Sequence, residues 1–238
     1  IVSDPNSFAR ALHPIAGPWD GWRATARAAF LDSLNAPPQP SPVDLGQVMA
    51  RLRETLPADV ILTNGAGNFA VWPNKFFLFG PKARLLAPQS GAMGYGLPAA
   101  IAAKTVYPDR QVICFAGDGD FQMTSQELAT ARQSGTQPIV LILNNGIYGT
   151  IRAHQERHYP GRVSGTTMVT NPDFVALAKA HGFHAERVET TDQFADAFAR
   201  AQASSTGAVL DLNIAAEAIT PRKSLSQIRA ENTPAAPR

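Results

Sequence analysis

Strands alternating with helices predict an α/β fold, a doubly wound, mainly parallel six-stranded sheet with helices on both faces. Two continuous apolar runs carry this reading, Val112-Ile113-Cys114-Phe115-Ala116 and Ile139-Val140-Leu141-Ile142-Leu143. Strands covered on both faces read this way, without a polar side. Glycine or amide clusters also follow three of the strands directly: Asn64-Gly65-Ala66-Gly67-Asn68, Gly117-Asp118-Gly119-Asp120 and Asn144-Asn145-Gly146. In open parallel sheets the ligand crevice lies beyond the carboxyl ends of the strands, where these clusters fall.

In chain order, residues 1–42 hold seven of the 19 prolines and read as the end of a preceding domain plus a linker. Ala36-Pro37-Pro38-Gln39-Pro40-Ser41-Pro42 is the linker, since proline removes amide donors and favours extended backbone. Residues 21–34 have a helix-like composition. Residues 43–220 form the α/β domain, opening with a helix at 44–56 and a strand at 59–63. Then come strand 84–87, helix 94–106, strand 111–116, helix 124–134 and strand 138–143. Helix 171–181, strand 185–188, helix 191–203 and strand 208–214 complete it. Residues 221–238 read as a polar, Pro/Ala-rich tail.

Composition excludes several classes. The 238 residues are 45% hydrophobic and 17% charged, which is globular rather than disordered. A net charge of +2 is too small to imply a nucleic-acid partner. Cys114 stands alone, so an internal disulfide is excluded. No apolar run approaches the ~20 residues that span a bilayer. A cytoplasmic chain without a membrane partner is expected. It begins with Ile1 rather than Met, as expected of a piece of a longer protein.

The strand-end clusters differ in what they can do. Gly65-Ala66-Gly67-Asn68-Phe69-Ala70 fits the loose G-x-G-x-x-G/A dinucleotide fingerprint. That fingerprint needs an acid about 20 residues on for the ribose, yet 60–108 contains four basic residues and no acid. A nicotinamide-dependent oxidoreductase is therefore disfavoured, and a turn with anion-facing amides remains beside a plain βα turn. Asp118, between two glycines after an apolar strand, can hold a hard cation. Asn145 adds an amide oxygen at the end of the next strand, and a diphosphate would complete a Mg²⁺ shell. A calcium loop fails because its twelfth position is Ala129 rather than glutamate. A phosphoacceptor aspartate leaves the paired asparagines unexplained.

Gly117-Asp118-Gly119, 24 intervening residues and Asn144-Asn145 resemble the thiamine-diphosphate (ThDP) motif. The flanking text GDGDFQMTSQEL at 117–128 and SGAMGYGLPAA at 90–100 is similar to the C-terminal cofactor domain of the acetolactate synthase-like family. The resemblance spans about 44–215, roughly the last two-fifths of a full family member. It implies ThDP and Mg²⁺ as cofactors, with Asp118, the Asn145 side chain and the Ile147 carbonyl as metal ligands. It implies that amides around Gly119 and Asp120, beside Gly117, hold the diphosphate. Asn68 and Phe69 align with a Gln-His pair that touches it, a contact Phe69 cannot supply. The Gly91 carbonyl would accept from the cofactor's 4′-amino group. Met93 would wedge between the cofactor's rings, a task a soft thioether suits.

The implied activity is decarboxylation of a 2-oxo acid, with the product protonated or ligated to a second carbonyl compound. The family's activating glutamate comes from a separate pyrimidine-binding domain across a subunit interface, which implies a homodimer or homotetramer. No such domain is recognisable here, and none of the seven glutamates is expected to fill that role. Glu127 lies inside the shared motif, and Glu156 falls in a charged stretch. No catalytic residue is assigned, and the isolated chain is expected to bind ThDP weakly or not at all and to show no turnover. Asp120 replaces a small or hydroxyl residue, so its side chain is expected to turn away from the diphosphate. His154 stands where acetolactate synthases favouring 2-oxobutyrate carry tryptophan. It is expected near the cofactor mouth, and a zinc role shared with His158 is disfavoured because no third ligand is evident. Phe76-Phe77-Leu78-Phe79 reads as core or a subunit contact, and Cys114 as core. The alternative from another class is a non-catalytic assembly subunit with a vestigial site.

Overall fold

The computed structural model describes residues 2–14, 16–168 and 170–233. The chain divides into two compact units, Ile1–Asn35 and Ala36–Arg238. The first carries α1 (Pro5–Ala11), capped by the Asp4 carboxylate on the Ser7 amide, and α2 (Asp20–Asp32). The linker joins the second unit. Ala215 N donates to Ser41 Oγ at 3.0 Å, and Val43 N donates to the Asn213 carbonyl.

The second unit is built on a six-stranded, wholly parallel sheet in the order β2-β1-β3-β4-β6-β5. Its strands are β1 (Ile61–Asn64), β2 (Arg84–Leu86), β3 (Val112–Gly117), β4 (Ile139–Asn144), β5 (His184–Val188) and β6 (Ala208–Asn213). Side chains alternate across the sheet with period 2. Ile113, Phe115, Leu141 and Leu210 face one core with α3 (Leu45–Thr55), α4 (Val71–Phe76) and α10 (Phe194–Ala203). Val112, Cys114, Val140 and Val209 face the other with α5 (Gly96–Val106), α7 (Glu127–Gln133) and α9 (Phe174–Ala180). Both faces are therefore covered, as the apolar runs predict. Between β3 and α7, α6 (Asp118–Gln122) begins directly at the strand end.

Element ends moved for local reasons. Asp44 is the N-cap of α3 rather than its first residue, its carboxylate accepting from Gly46 N at 2.8 Å. Asp173 caps α9 in the same way, so that helix begins at Phe174, three residues later than expected. Residues 191–193 form a separate 3₁₀ turn before α10. The expected tail contains α11 (Leu225–Asn232), opened by a capping box of Ser224 and Gln227. It packs on α8 (Gly149–His158) through a third apolar cluster that includes Ile147, Ala153, Ile219, Leu225 and Ile228. The expected tail's residues 234–238 lie outside the described residues. Glu156, expected in a charged stretch, is fully buried between α8 and α11. It accepts from Arg229 Nε at 2.7 Å, Arg152 Nε at 3.1 Å and Gly161 N at 3.1 Å. Among the described residues no helix is long and apolar enough to cross a membrane.

Candidate cofactor cleft at the strand switch point

From β1 the chain moves outward to β2, and from β3 it moves to the other side of the sheet. The carboxyl ends of β1 and β3 therefore diverge, and this leaves a crevice. A cleft with about 620 Å³ of empty space lies here, part of it open to solvent. Its lining joins Ala66–Phe69 of the first cluster, 117–120 of the second and Asn145 of the third. Met93, Ile147 and the first residues of α8 also line it.

Asp118 is buried, and its Oδ2 accepts from Gly146 N at 2.9 Å and Asn171 Nδ2 at 2.7 Å. The Gly146 bond ties the end of β3 to the turn after β4, which brings Asp118 and Asn145 to one wall. Burial raises the Asp118 carboxyl above its ordinary range, against the lowering effect of those donors. Asn145 Oδ1 accepts from Ile147 N at 3.2 Å, closing a small side-chain turn. The chain after Ile147 is held by Tyr148 N donating to the Thr166 carbonyl at 2.9 Å. Asn144, the other member of the pair, does not face the cleft. Its Nδ2 donates to buried Asp211 at 3.0 Å.

Asp120 is also buried, and its carboxylate is turned onto two loops. Oδ1 accepts from Ala66 N at 3.1 Å and Gly94 N at 2.8 Å. Burial is the main cause that moves this carboxyl up to about 6. The residue that looked repulsive toward an anion thus clasps the β1 loop to the turn before α5. Thr124 Oγ1 donates to the Gly94 carbonyl at 2.8 Å and fixes the same turn. Glycine is required at Gly94, where φ is +83°.

Asn68 donates from Nδ2 to the Ile219 carbonyl at 2.8 Å and accepts from the Thr150 hydroxyl, so its amide joins the first loop to α8 and the C-terminal segment. Phe69 lies over Gly117, where an added Cβ would come within 2.8 Å of its ring. It forms an apolar floor in place of a polar contact. At Gly119 an added Cβ would come within 2.7 Å of Tyr148. Met93 is half-buried on the cleft wall. Gly91, at φ +69°, sits on an exposed turn outside the lining. His154 is likewise exposed outside it, its ring stacked on His158 at 6.0 Å. The residues of α8 that reach the cleft are Gly149, Thr150 and Ile151. Sequence reading missed Thr150, Tyr148 and Asn171, whose contacts come from loops distant in sequence. Among the described residues no cluster of three His, Cys, Asp or Glu could hold a metal, so a cation here would need amide or carbonyl oxygens beside Asp118.

Comparison with known proteins identifies relatives of this chain. The model of the thiamine pyrophosphate enzyme C-terminal TPP binding domain matches residues 65–212, from the first loop to the end of β6. An acetolactate synthase large subunit from Parasynechococcus marenigrum (strain WH8102) is 33% identical over 197 residues, 79% of this chain and 32% of that protein. The acetolactate synthase isozyme 2 large subunit of Escherichia coli (strain K12) is 33% identical over 147 residues, 61% of this chain and 27% of that protein. An acetolactate synthase from Mycobacterium bovis is 35% identical over 177 residues, 72% of this chain and 29% of that protein. The chain thus spans less than a third of the length of these relatives. With more than half of its residues inside the family match, the chain belongs to the thiamine pyrophosphate enzyme family, in its C-terminal TPP binding domain.

Proposed function

We propose that this cleft holds the Mg²⁺-diphosphate end of ThDP, and that the chain is the cofactor-binding part of an acetolactate synthase-like 2-oxo acid decarboxylase and carboligase. One observation carries the reading: Asp118, Asn145 and Ile147 meet in one cleft at the β1/β3 switch point. The donor set fits the ion, because Mg²⁺ takes few protein oxygens and completes its shell with phosphate and water. Asp118, the Asn145 side chain and the Ile147 carbonyl would hold it. At Gly117 and Gly119 the missing Cβ makes room for the Phe69 and Tyr148 rings to pack against this turn, whose amides would face the diphosphate. When bound, ThDP supplies the electron sink that lets a 2-oxo acid lose carbon dioxide. The chain's own residues would orient that group: Met93 would pack on it from the cleft wall, and Phe69 offers an apolar floor beneath it.

In this reading the activating glutamate belongs to a pyrimidine-binding domain that contacts the cleft across a subunit interface, in a homodimer or homotetramer. The experiment is complementation: the chain is mixed with an N-terminal pyrimidine-binding portion of an acetolactate synthase, and 2-oxo acid consumption is followed. Turnover that requires both pieces, ThDP and Mg²⁺ is expected. Turnover by the chain alone, or turnover of the mixture unaffected by Asp118→Asn, would contradict the proposal.

A further inference from the structure

A chain of polar side chains runs behind Asp118, away from the cleft. Asn171 uses both hydrogens of its Nδ2, one on Asp118 Oδ2 at 2.7 Å and one on Asn144 Oδ1 at 3.0 Å. The opposite end of Asn171 is fixed, since its Oδ1 accepts from Gln122 Nε2 at 3.1 Å. Asn144 Nδ2 donates in turn to Asp211 Oδ1, and the Asp211 carboxylate is paired with Arg187 at 2.9 Å. Asp211 is buried, so an unpaired charge there would be costly, and Arg187 keeps the whole row in one orientation. Each amide therefore has one permitted orientation: reversing Asn144 would aim its oxygen at a carboxylate, and reversing Asn171 would aim its oxygen at Asp118.

We infer that Asn171 is a positioning residue for the cation ligand Asp118, and that the row Arg187-Asp211-Asn144 fixes Asn171 in its donating orientation. The inference rests on the Mg²⁺-diphosphate reading of the cleft. Asn171 and Gly146 N both bond Oδ2, while Oδ1 accepts no side-chain bond among the described residues. Two donors on one oxygen thereby hold the carboxyl about its Cβ–Cγ axis. Asn171 does not line the cleft, so it would act on the ion only through Asp118. It comes from the segment before α9, 26 residues after Asn145, outside the spacing that defines the motif. Partners behind metal ligands typically contribute about 10–100-fold to metal affinity.

The test is ThDP binding to the chain at a series of Mg²⁺ concentrations, followed by amide NMR at millimolar ligand. Wild type, Asn171→Ala, Asn171→Leu and Asp118→Asn are compared, with thermal melting without ligand as the folding control. Asn171→Leu keeps the number of side-chain heavy atoms and their branching and removes the donor. The expected result is a half-saturating Mg²⁺ concentration raised about 10–100-fold in both Asn171 variants. Wild-type ThDP affinity should return at saturating Mg²⁺. A purely structural role would lower the melting temperature and weaken ThDP equally at every Mg²⁺ level, and that overturns the inference. So does an unchanged Mg²⁺ requirement in both Asn171 variants when Asp118→Asn abolishes Mg²⁺-dependent binding; the cleft reading then stands alone. Mg²⁺-independent binding in wild type, or no binding, overturns the cleft reading and the inference with it.

Discussion

Replacing Glu156 with alanine should loosen the C-terminal helix from the cleft wall. The carboxylate is fully buried, while its partners Arg152 and Arg229 are 18% and 41% exposed. Removing one partner of a buried pair costs about 3–5 kcal/mol when the charge left behind stays buried. Here the arginines left behind keep a route to water, so the cost falls below that range, to about 2–3 kcal/mol. At about 2–4 °C per kcal/mol for a chain of this size, melting should fall by about 5–10 °C. The same pair sets a pH dependence. Hydrogen bonding from Arg229 is the largest cause that lowers the Glu156 carboxyl from 4.5 to about 2. The folded-state value is the depressed one, so this stabilisation is complete above pH 4.5 and is lost as pH falls toward 2. Melting curves of wild type and Glu156→Ala from neutral pH down to pH 3 read both effects, and the gap between them should narrow below pH 4.5. Hydrogen exchange should locate the loss in α8 and α11. A destabilisation under about 0.5 kcal/mol, the range of ordinary surface substitutions, would refute the reasoning. So would a gap that widens in acid.

Gly96→Ala should destabilise the domain by about 1–3 kcal/mol, because overpacking costs that much and the new Cβ would sit 2.9 Å from Gly65 N. Chemical denaturation measures it, and a neutral result would mean α5 lies farther from β1. Cys114 is buried, and burial pushes its thiol up to about 12. Alkylation at pH 8 should therefore be negligible until denaturant is added; rapid native labelling would contradict the packing. Asp120→Leu should free the Ala66 and Gly94 amides, seen as faster exchange at both, since each donates to Oδ1. Unchanged protection at both would refute the clasp. Gly119→Ala should displace the Tyr148 ring, its Cβ lying 2.7 Å from that ring, and amide shifts should appear at Tyr148 and Thr166. Shifts absent from both would count against the close approach.

The sheet was legible because burial on both faces leaves a direct mark in sequence, seen in the apolar runs of β3 and β4. The motif around Asp118 and Asn145 was legible for a related reason: consecutive strands pair, so 24 intervening residues return the chain to the same end of the sheet. What escaped depends on contacts without periodicity. Nothing local marks Glu156 as buried, because its partner Arg229 lies 73 residues on. Residues 225–232 have a polar composition and became α11 through the Ser224 cap and a short apolar face on α8. Gly91 and His154 were assigned by resemblance, and here they lie outside the cleft lining. The partners of Asp120, Ala66 N and Gly94 N, lie 54 and 26 residues away, so no local pattern marks its bridge between two loops.

We propose that the cleft takes the diphosphate of ThDP through Mg²⁺. Amide NMR of the chain titrated with ThDP, with and without Mg²⁺, tests it most directly. Weak, Mg²⁺-dependent binding is expected, with shifts at 65–69, 117–120 and 145–150 that vanish in Asp118→Asn. Shifts at another surface, or binding indifferent to Mg²⁺ and Asp118, would contradict it.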